Sequence, residues 1–511
     1  MRRIAYRYLA AISLLIAATV ALTAATRPHY GGTLRVMLQS APNTLDLSAN
    51  AANTSPAGYW DLARTLSLIG DTLVTLDAQA RAHPALAVTW QSDDSARHWQ
   101  FTLRRGVKFH DGSAASPAAI AEILGGLHPG WNVRVSGGAG AADSVTIDSD
   151  VPMPSLLAEL ALPRNLLLKR DGKGLAIGTG PFLIAEWQPG KLLRLAANEE
   201  SWSGRPFVDA IEIEFGKSLR DQAIALELGK ADVIELAPAS IAAQRNGESP
   251  SVSSSSSFSF SLPVELLALV FSANSKAQDP RLREALALSI DRKPIQSVLL
   301  KGAGEPTASI LPNWMTGYSA VFSAQANPQR ARTLLANSRQ AAINLSYDPR
   351  DAQAQLIAER IALNAREVGI TVQVSLSGIN DIRLMRVVLP SSNPATSLAE
   401  AARQLELPLP AFAAKAANSS LDYHSAGDRY LGDGYLDSHS LDNRSLDDLY
   451  QAERNVLQEY EVIPLFHLPV AAAASARVRN WGPGGLAGWN DQEFSLANIW
   501  LGDLRSQADS R

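Results

Sequence analysis

The chain has 511 residues, too long for one ordinary hydrophobic core and suited to two or three lobes. Hydrophobic residues make up 46% and charged residues 19%, which excludes a disordered chain. A net charge of -4 with no basic stripe gives no support for a nucleic-acid partner, and the lack of any cysteine excludes disulfides, thiolate zinc sites and cysteine nucleophiles.

Arg2, Arg3 and Arg7 precede an uncharged apolar stretch over 9–25 that closes on Thr23-Ala24-Ala25. This pattern predicts a secretory signal peptide over 1–26. A retained membrane anchor is the alternative, because about 17 apolar residues approach the length that spans a bilayer. Without a cysteine the chain has no residue for a lipid tether, so it is expected free in a periplasm or held by its own N-terminus.

Strands and helices then alternate, which predicts an α/β fold. Gly31-Gly32 leads into a strand over 33–38. Trp99, Phe101 and Leu103 alternate as a half-buried strand, and Val107 with Phe109 reads as a second one between turns at Arg105-Gly106 and Asp111-Gly112. Ser116-Pro117 opens a helix expected to stop at Gly125-Gly126. Gly178-Thr179-Gly180-Pro181 is a tight turn before a strand. Ser218 with Asp221 caps a helix that stops at Gly229, and Asp279-Pro280 opens another. Leu356, Ile357, Ile361, Ala365 and Val368 follow a helical stripe closed by Gly369, and Ile370, Val372 and Val374 alternate as the next strand. The serine run 251–257 reads as a polar approach to a strand, with an interdomain linker as the alternative. The stretch 421–448 holds seven Asp without the glycine and spacing of a calcium loop, so a solvated loop is expected.

The chain carries no nucleophile elbow, phosphate loop or dinucleotide fingerprint. Its eight histidines are scattered, and none pair at i, i+4 on a predicted helix. His110-Asp111 is the one adjacent pair that could be catalytic, and it sits in a turn where Asp-Gly serves geometry. No enzyme, catalytic residue, cofactor or metal is expected.

Several short stretches together are more specific. They are Gly70-Asp71-Thr72-Leu73-Val74, Leu86-Ala87-Val88-Thr89-Trp90, and Leu103-Arg104-Arg105-Gly106-Val107-Lys108 running into Phe109-His110-Asp111-Gly112. Further along come Gly178-Thr179-Gly180-Pro181-Phe182, Asn198 with Trp202-Ser203-Gly204-Arg205-Pro206, and Phe271-Ser272-Ala273-Asn274. Asp279-Pro280-Arg281-Leu282-Arg283-Glu284-Ala285-Leu286, Ser289-Ile290-Asp291-Arg292 and Ile463-Pro464-Leu465 complete the series. In this order they resemble the extracytoplasmic solute-binding proteins of family 5, the oligopeptide, dipeptide and nickel-binding components of ABC importers.

That resemblance implies a two-lobed periplasmic-binding-protein fold of type II, in its large three-part variant, with two crossover strands. Lobe I would be 27–45, 177–268 and 478–511, the inserted subdomain 46–176 and lobe II 269–477. It implies a receptor that captures a peptide-like or other small polar solute between its lobes and delivers it to permease subunits. A sensor or scaffold with a degenerate cleft is the alternative. The protein would be a periplasmic monomer with no nucleic-acid partner.

The family layout gives Gln39, Ser40 and Asn43 as ligand-binding candidates after the first strand, and Trp314, Arg386, Ser391 and Asn393 in lobe II. Trp314 also fits hinge packing, and Arg386 an exposed strand edge. Tyr59 and Trp60 fit either a stacking platform or a subdomain core. Peptide-binding relatives carry a Trp-x-x-Asp-Tyr-Pro-Asp-Pro-like stretch whose first Asp pairs with the peptide ammonium. The aligned residues here are Val387-Val388-Leu389-Pro390-Ser391-Ser392-Asn393-Pro394, with Pro390 at the carboxylate's place. A buried ammonium without a carboxylate is costly, so a neutral or anionic ligand is expected.

Overall fold

The computed structural model describes residues 28–47, 56–77, 79–136, 143–172, 174–240, 256–318, 320–336, 342–351, 353–376, 381–408, 443–480 and 496–502. The expected signal segment, residues 251–255 of the serine run and residues 421–442 of the Asp-rich stretch lie outside them, as do the side chains of Tyr59 and Trp60.

The strands that matter for the site are, in chain order, β1 (Thr33–Met37), β2 (Ala87–Ser92), β3 (His98–Leu103), β4 (Asn132–Ser136), β5 (Ser144–Asp148), β6 (Phe182–Gln188) and β7 (Leu192–Ala197). They continue with β8 (Ala210–Glu214), β9 (Val233–Leu236), β10 (Ser257–Phe271), β11 (Ile343–Tyr347), β12 (Val372–Ser375), β13 (Ile382–Val388) and β14 (Val462–Ala474). An 11-stranded sheet runs β6-β7-β8-β1-β9-β14-β10-β13-β11-β12, with a short strand at Glu305–Pro306 beside β14. β1 is parallel to β8 and β9 at one end, and β11 is parallel to β12 and β13 at the other. A separate four-stranded antiparallel sheet, β2-β3-β5-β4, holds the inserted segment.

The two ends of the large sheet are joined through β10 and β14, which are 15 and 13 residues long and pair antiparallel. Their ladder breaks register on both sides of Pro263, which stands opposite Pro469. Proline has no N–H for a ladder bond, so two facing prolines leave the sheet weakest at its midpoint. Trp314 donates its indole N–H to the Pro263 carbonyl at 2.9 Å, and Ser261 Oγ accepts the Val470 N–H at 2.9 Å. These bonds replace part of what the prolines remove.

Separate apolar clusters lie on either side of this crossing. One gathers Leu34, Val36, Phe182, Ile211 and Val233, another Leu269, Leu286, Ile361, Ile382 and Leu465, and a third, around the four-stranded sheet, Phe101, Phe109, Ile120 and Ile147.

Most of the predicted elements form. His98–Leu103 buries Trp99, Phe101 and Leu103 on one face. Ser116 accepts the Ala119 N–H to open the helix Pro117–Leu127, named α2 after α1 (Pro56–Leu66). Ser218 accepts the Asp221 N–H, and Asp279 accepts the Arg281 N–H, at the starts of two more helices. The helix Ala354–Glu367 and strand Val372–Ser375 flank Gly369, whose φ of 95° suits a residue without a Cβ.

Three details differ. Val107 and Phe109 are buried but form no strand. Phe109 bonds its N–H to the Ser113 carbonyl and accepts from Gly112, so the tight turn leaves a single bridge between Lys108 and Ala114. α2 runs through Gly125-Gly126 to Leu127, because the His128 N–H still reaches the Leu124 carbonyl. Leu356 is 51% exposed and lies off the buried stripe.

Candidate functional site

A cleft of about 480 Å³ opens where the two ends of the large sheet face each other across the crossing strands. It sits at the carboxyl ends of parallel strands, where backbone turns away and leaves a crevice. Gln39 and Ser40 follow β1, Glu235 lies near the end of β9, and Asp348 follows β11. Glu265 and Val470 come from the crossing strands and Arg386 from β13. α1 supplies Asp61 and Arg64.

The polar lining is organised around ion pairs. Arg386 donates Nε to Asp351 at 2.6 Å and Nη1 to Glu265 at 3.4 Å, with the three side chains between 10% and 20% exposed. Both carboxylates hold the guanidinium firmly charged against the cost of burial, while burial pushes the Glu265 carboxyl up. Arg64 pairs with Asp61 at 2.7 Å, Arg350 with Asp348 at 2.7 Å, and Arg383 with Glu406 at 3.2 Å. Glu235 accepts the Gln39 backbone N–H at 2.5 Å and the Gln222 amide at 3.1 Å. Burial first, and then the neighbouring Asp61, push its carboxyl up to about 7. Burial likewise raises Asp61 in spite of Arg64.

That shift fixes a sign for stability. A carboxyl raised in the fold binds protons that the unfolded chain, near pKa 4.5, has already released. Glu235 therefore favours the folded state below about pH 4.5, and this contribution is lost as pH rises to about 7. We expect the stability of Glu235→Gln relative to the native chain to rise by about 3 kcal/mol between pH 4.5 and 7.5. Paired denaturant melts at the two pH values measure this, and a pH-independent difference would refute it.

Across the inserted segment and the far lobe, Arg164 pairs with Glu159 at 2.5 Å and also with Glu400, and Ser392 donates its hydroxyl to the Asp77 carbonyl at 2.7 Å. Ala63 of α1 packs on Val388 of β13.

Glycines and polar caps hold the inserted segment to the first lobe. The Gly178 and Gly180 backbones lie directly on the turn that follows α1, where Gly180 donates its N–H to the Ile69 carbonyl at 2.8 Å. His110 donates its backbone N–H to Gly178 O, and its Nε2 lies 2.9 Å from Gly180 O. Asp71 accepts from Thr179 Oγ1 at 2.7 Å and Trp202 Nε1 at 2.9 Å, and Asn198 donates to Gly180 O at 3.1 Å. Asp111 pairs with Lys169 at 2.6 Å, which with Ser113 holds its carboxyl at about 2. These contacts account for His110 and Asp111 without chemistry.

The family model for bacterial extracellular solute-binding proteins, family 5, middle part, matches residues 81–379. The chain belongs to this family. It is 24% identical to di/tripeptide-binding protein 2 of Pseudomonas aeruginosa (strain UCBPP-PA14), over 58% of this chain and 64% of that protein. It is also 24% identical to the nickel-binding periplasmic protein of Escherichia coli (strain K12), over 60% of this chain and 66% of that one. The matches thus span just under two thirds of these relatives. The structure of the E. coli murein tripeptide binding protein superposes with a TM-score of 0.73 at 16% identity, covering 94% of this chain and 100% of the other, which establishes the fold.

In this family 5 protein the cleft gathers Gln39, Ser40 and Arg386 from the residues singled out by sequence. Arg386 stands inside the sheet between β10 and β11, so the exposed-edge reading does not hold. Asn43, Trp314, Ser391 and Asn393 are not among the lining residues. Asn43 is exposed beside Gly190. Trp314 braces the hinge strand at Pro263. Asn393 caps the helix Pro394–Gln404 by accepting the Thr396 N–H, and Ser391 Oγ accepts the Asn393 N–H. Pro390 is buried and also absent from the lining.

Sequence reading missed Glu235, Glu265, Asp61 and Asp351. A signal existed for the first two. Val233-Ile234-Glu235-Leu236 and Val264-Glu265-Leu266-Leu267 each set one acid inside an apolar strand, where an unneeded charge would be selected against by its burial cost. Among the described residues the lining holds six carboxylates, including Glu406, against four arginines, which opposes the anionic half of the neutral-or-anionic expectation from Pro390. Among the described residues no group of His, Asp and Glu could hold a metal ion.

Proposed function

We propose that this protein is the extracytoplasmic receptor of an ABC importer, capturing a small polar solute in the cleft and presenting it to membrane permease subunits. The observation that carries this reading is a polar cleft built across two long strands that lose register at Pro263 and Pro469. A hinge at that point lets the lobes open for entry and close on the ligand. Solute that binds the closed form better shifts the population towards it. The names of the relatives, which bind di- and tripeptides or nickel, support a solute of that size.

On this reading lobe I comprises 27–45, 177–268 and 478–511, the inserted subdomain 46–176 and lobe II 269–477. The separate cluster around the four-stranded sheet, from Leu73 to Leu167, supports an inserted subdomain, while Leu62, Leu66 and Ile69 pack with the first lobe. Residues 1–26 direct export to a periplasm, and the protein acts there as a monomer without catalysis.

A thermal-shift screen tests the proposal. Dipeptides, tripeptides, oligosaccharides and metal chelates are offered to the purified protein. One class is expected to raise the melting temperature, because a ligand at 100 times its Kd adds about 2.7 kcal/mol to native stability. A melting temperature unmoved by every class would count against a receptor.

A further inference from the structure

The receptor reading leaves the chemistry of the solute open, and the cleft narrows it. When the four arginines of the described lining are assigned to Asp61, Asp348, Glu406 and the Asp351–Glu265 pair, two carboxyl groups remain over. One belongs to the pair Glu265 and Asp351, which share Arg386. The other is Glu235. Its hydrogen-bond partners are neutral, and among the described residues no arginine or lysine forms an ion pair with it. The charged groups acting on it are Asp61 and Arg64 from α1, and Arg350 reaches Asp61 from the opposite lobe.

A second observation is independent of charge. Two buried oxygens of the lining, Ser40 Oγ and Gln353 Oε1, make no hydrogen bond of normal geometry. Ser40 is only 6% exposed, and its hydroxyl merely lies near enough to Asp61 to favour the charged form. Gln353 Oε1 can only accept, so the group that satisfies it must be a donor. The surplus carboxyls ask for a positive charge and the orphaned acceptor for a donor, and an N–H group bearing positive charge supplies both.

We propose, resting on the receptor reading, that the solute carries an ammonium or guanidinium nitrogen and that Glu235 is the carboxylate that takes it. The cation then docks on the lobe I wall beside Asp61, across the cleft from Arg386. Pro390 removes a carboxylate at one place, and this chain supplies another on a different strand. A cation held by Glu235 also keeps the carboxyl ionised, so docking expels a proton near neutral pH. Affinity is highest above about pH 7 and falls as pH drops below it.

Calorimetric titration of the purified protein tests this. The cationic probes are agmatine and dialanine, the latter a zwitterion whose cation is its N-terminal ammonium, with N-acetyl-dialanine as the counterpart lacking that ammonium, succinate as an anion and maltotriose as a neutral solute. A cationic probe is expected to bind, with N-acetylation or Glu235→Gln weakening it at least about tenfold and Glu235→Asp restoring part of the loss. The cationic probe should also release protons at pH 6.5, read from the difference between two buffers of unlike ionisation enthalpy. If succinate, maltotriose or N-acetyl-dialanine binds as well as the cations, or Glu235→Gln binds the cations unchanged, the cation site is wrong and the receptor stands. If no probe of any charge binds, the receptor reading fails and takes the cation site with it. Unchanged melting of the ligand-free Glu235→Gln protein near pH 5 separates lost binding from lost folding.

Discussion

Gly178→Ala is expected to cost more than about 3 kcal/mol and to lower the melting temperature by about 10 °C or prevent soluble folding. A Cβ built on Gly178 would lie 2.1 Å from the Ile69 carbonyl oxygen and 2.7 Å from its carbon. Both are backbone atoms of the turn after α1, and they cannot swing away as a side-chain tip could. Gly180 meets the same carbonyl carbon at 2.7 Å, so the whole turn would have to move. Moving it breaks the bonds from His110, Asn198 and Thr179 that fasten the inserted subdomain. Gly125→Ala is the control, because a Cβ there meets nothing within 4 Å and alanine is the better helix former. It should be neutral or stabilising by up to about 1 kcal/mol. Thermal melts of the two variants decide the matter, and a Gly178→Ala protein that melts with the native one would refute the backbone contact.

Arg386→Met should cost about 3–5 kcal/mol at pH 7. The loss arises less from the missing bonds than from what they leave behind. Glu265 is 7% exposed and shares Arg386 with Asp351, so removing the guanidinium strands two carboxylates in a low-dielectric wall. They then take up protons in the fold that the unfolded chain does not hold at the same pH. A raised carboxyl is stabilising only below its unfolded pKa, so the deficit of the variant should grow as pH rises from about 4 towards 7. The double change Glu265→Gln with Arg386→Met should recover part of the loss, since a neutral pair costs less than an orphaned ion. Denaturant melts at pH 5 and 7.5 read both effects. A deficit that is flat with pH would mean that packing, and not charge, holds Arg386 in place.

The family motifs and the cleft tell different stories about this chain. The turn at 178–182, the signature at 109–112 and Trp202 carry the resemblance most clearly, yet each is used to seat the inserted segment on the first lobe. Their residue types are constrained by sterics and by short-range hydrogen bonds, which makes them readable in one dimension. Asn393 shows the limit of the same approach. Its place after a lobe II strand suggests a ligand contact, while its side chain is spent on opening a helix, a role that Asn-Pro before an amphipathic run already advertises.

By itself the sequence determined the α/β class, the family, the helix caps at Ser116, Ser218 and Asp279, and the absence of cysteine chemistry. These follow from periodicity, local hydrogen bonding and composition, which depend on neighbours along the chain. Tertiary structure alone decided the binding wall. It brought Glu235 from one lobe, Glu265 from a crossing strand, and Asp351 and Arg386 from the other lobe around one cavity. A carboxylate's charge state and its surplus over nearby arginines depend on distance and burial, and these exist only once the lobes face each other.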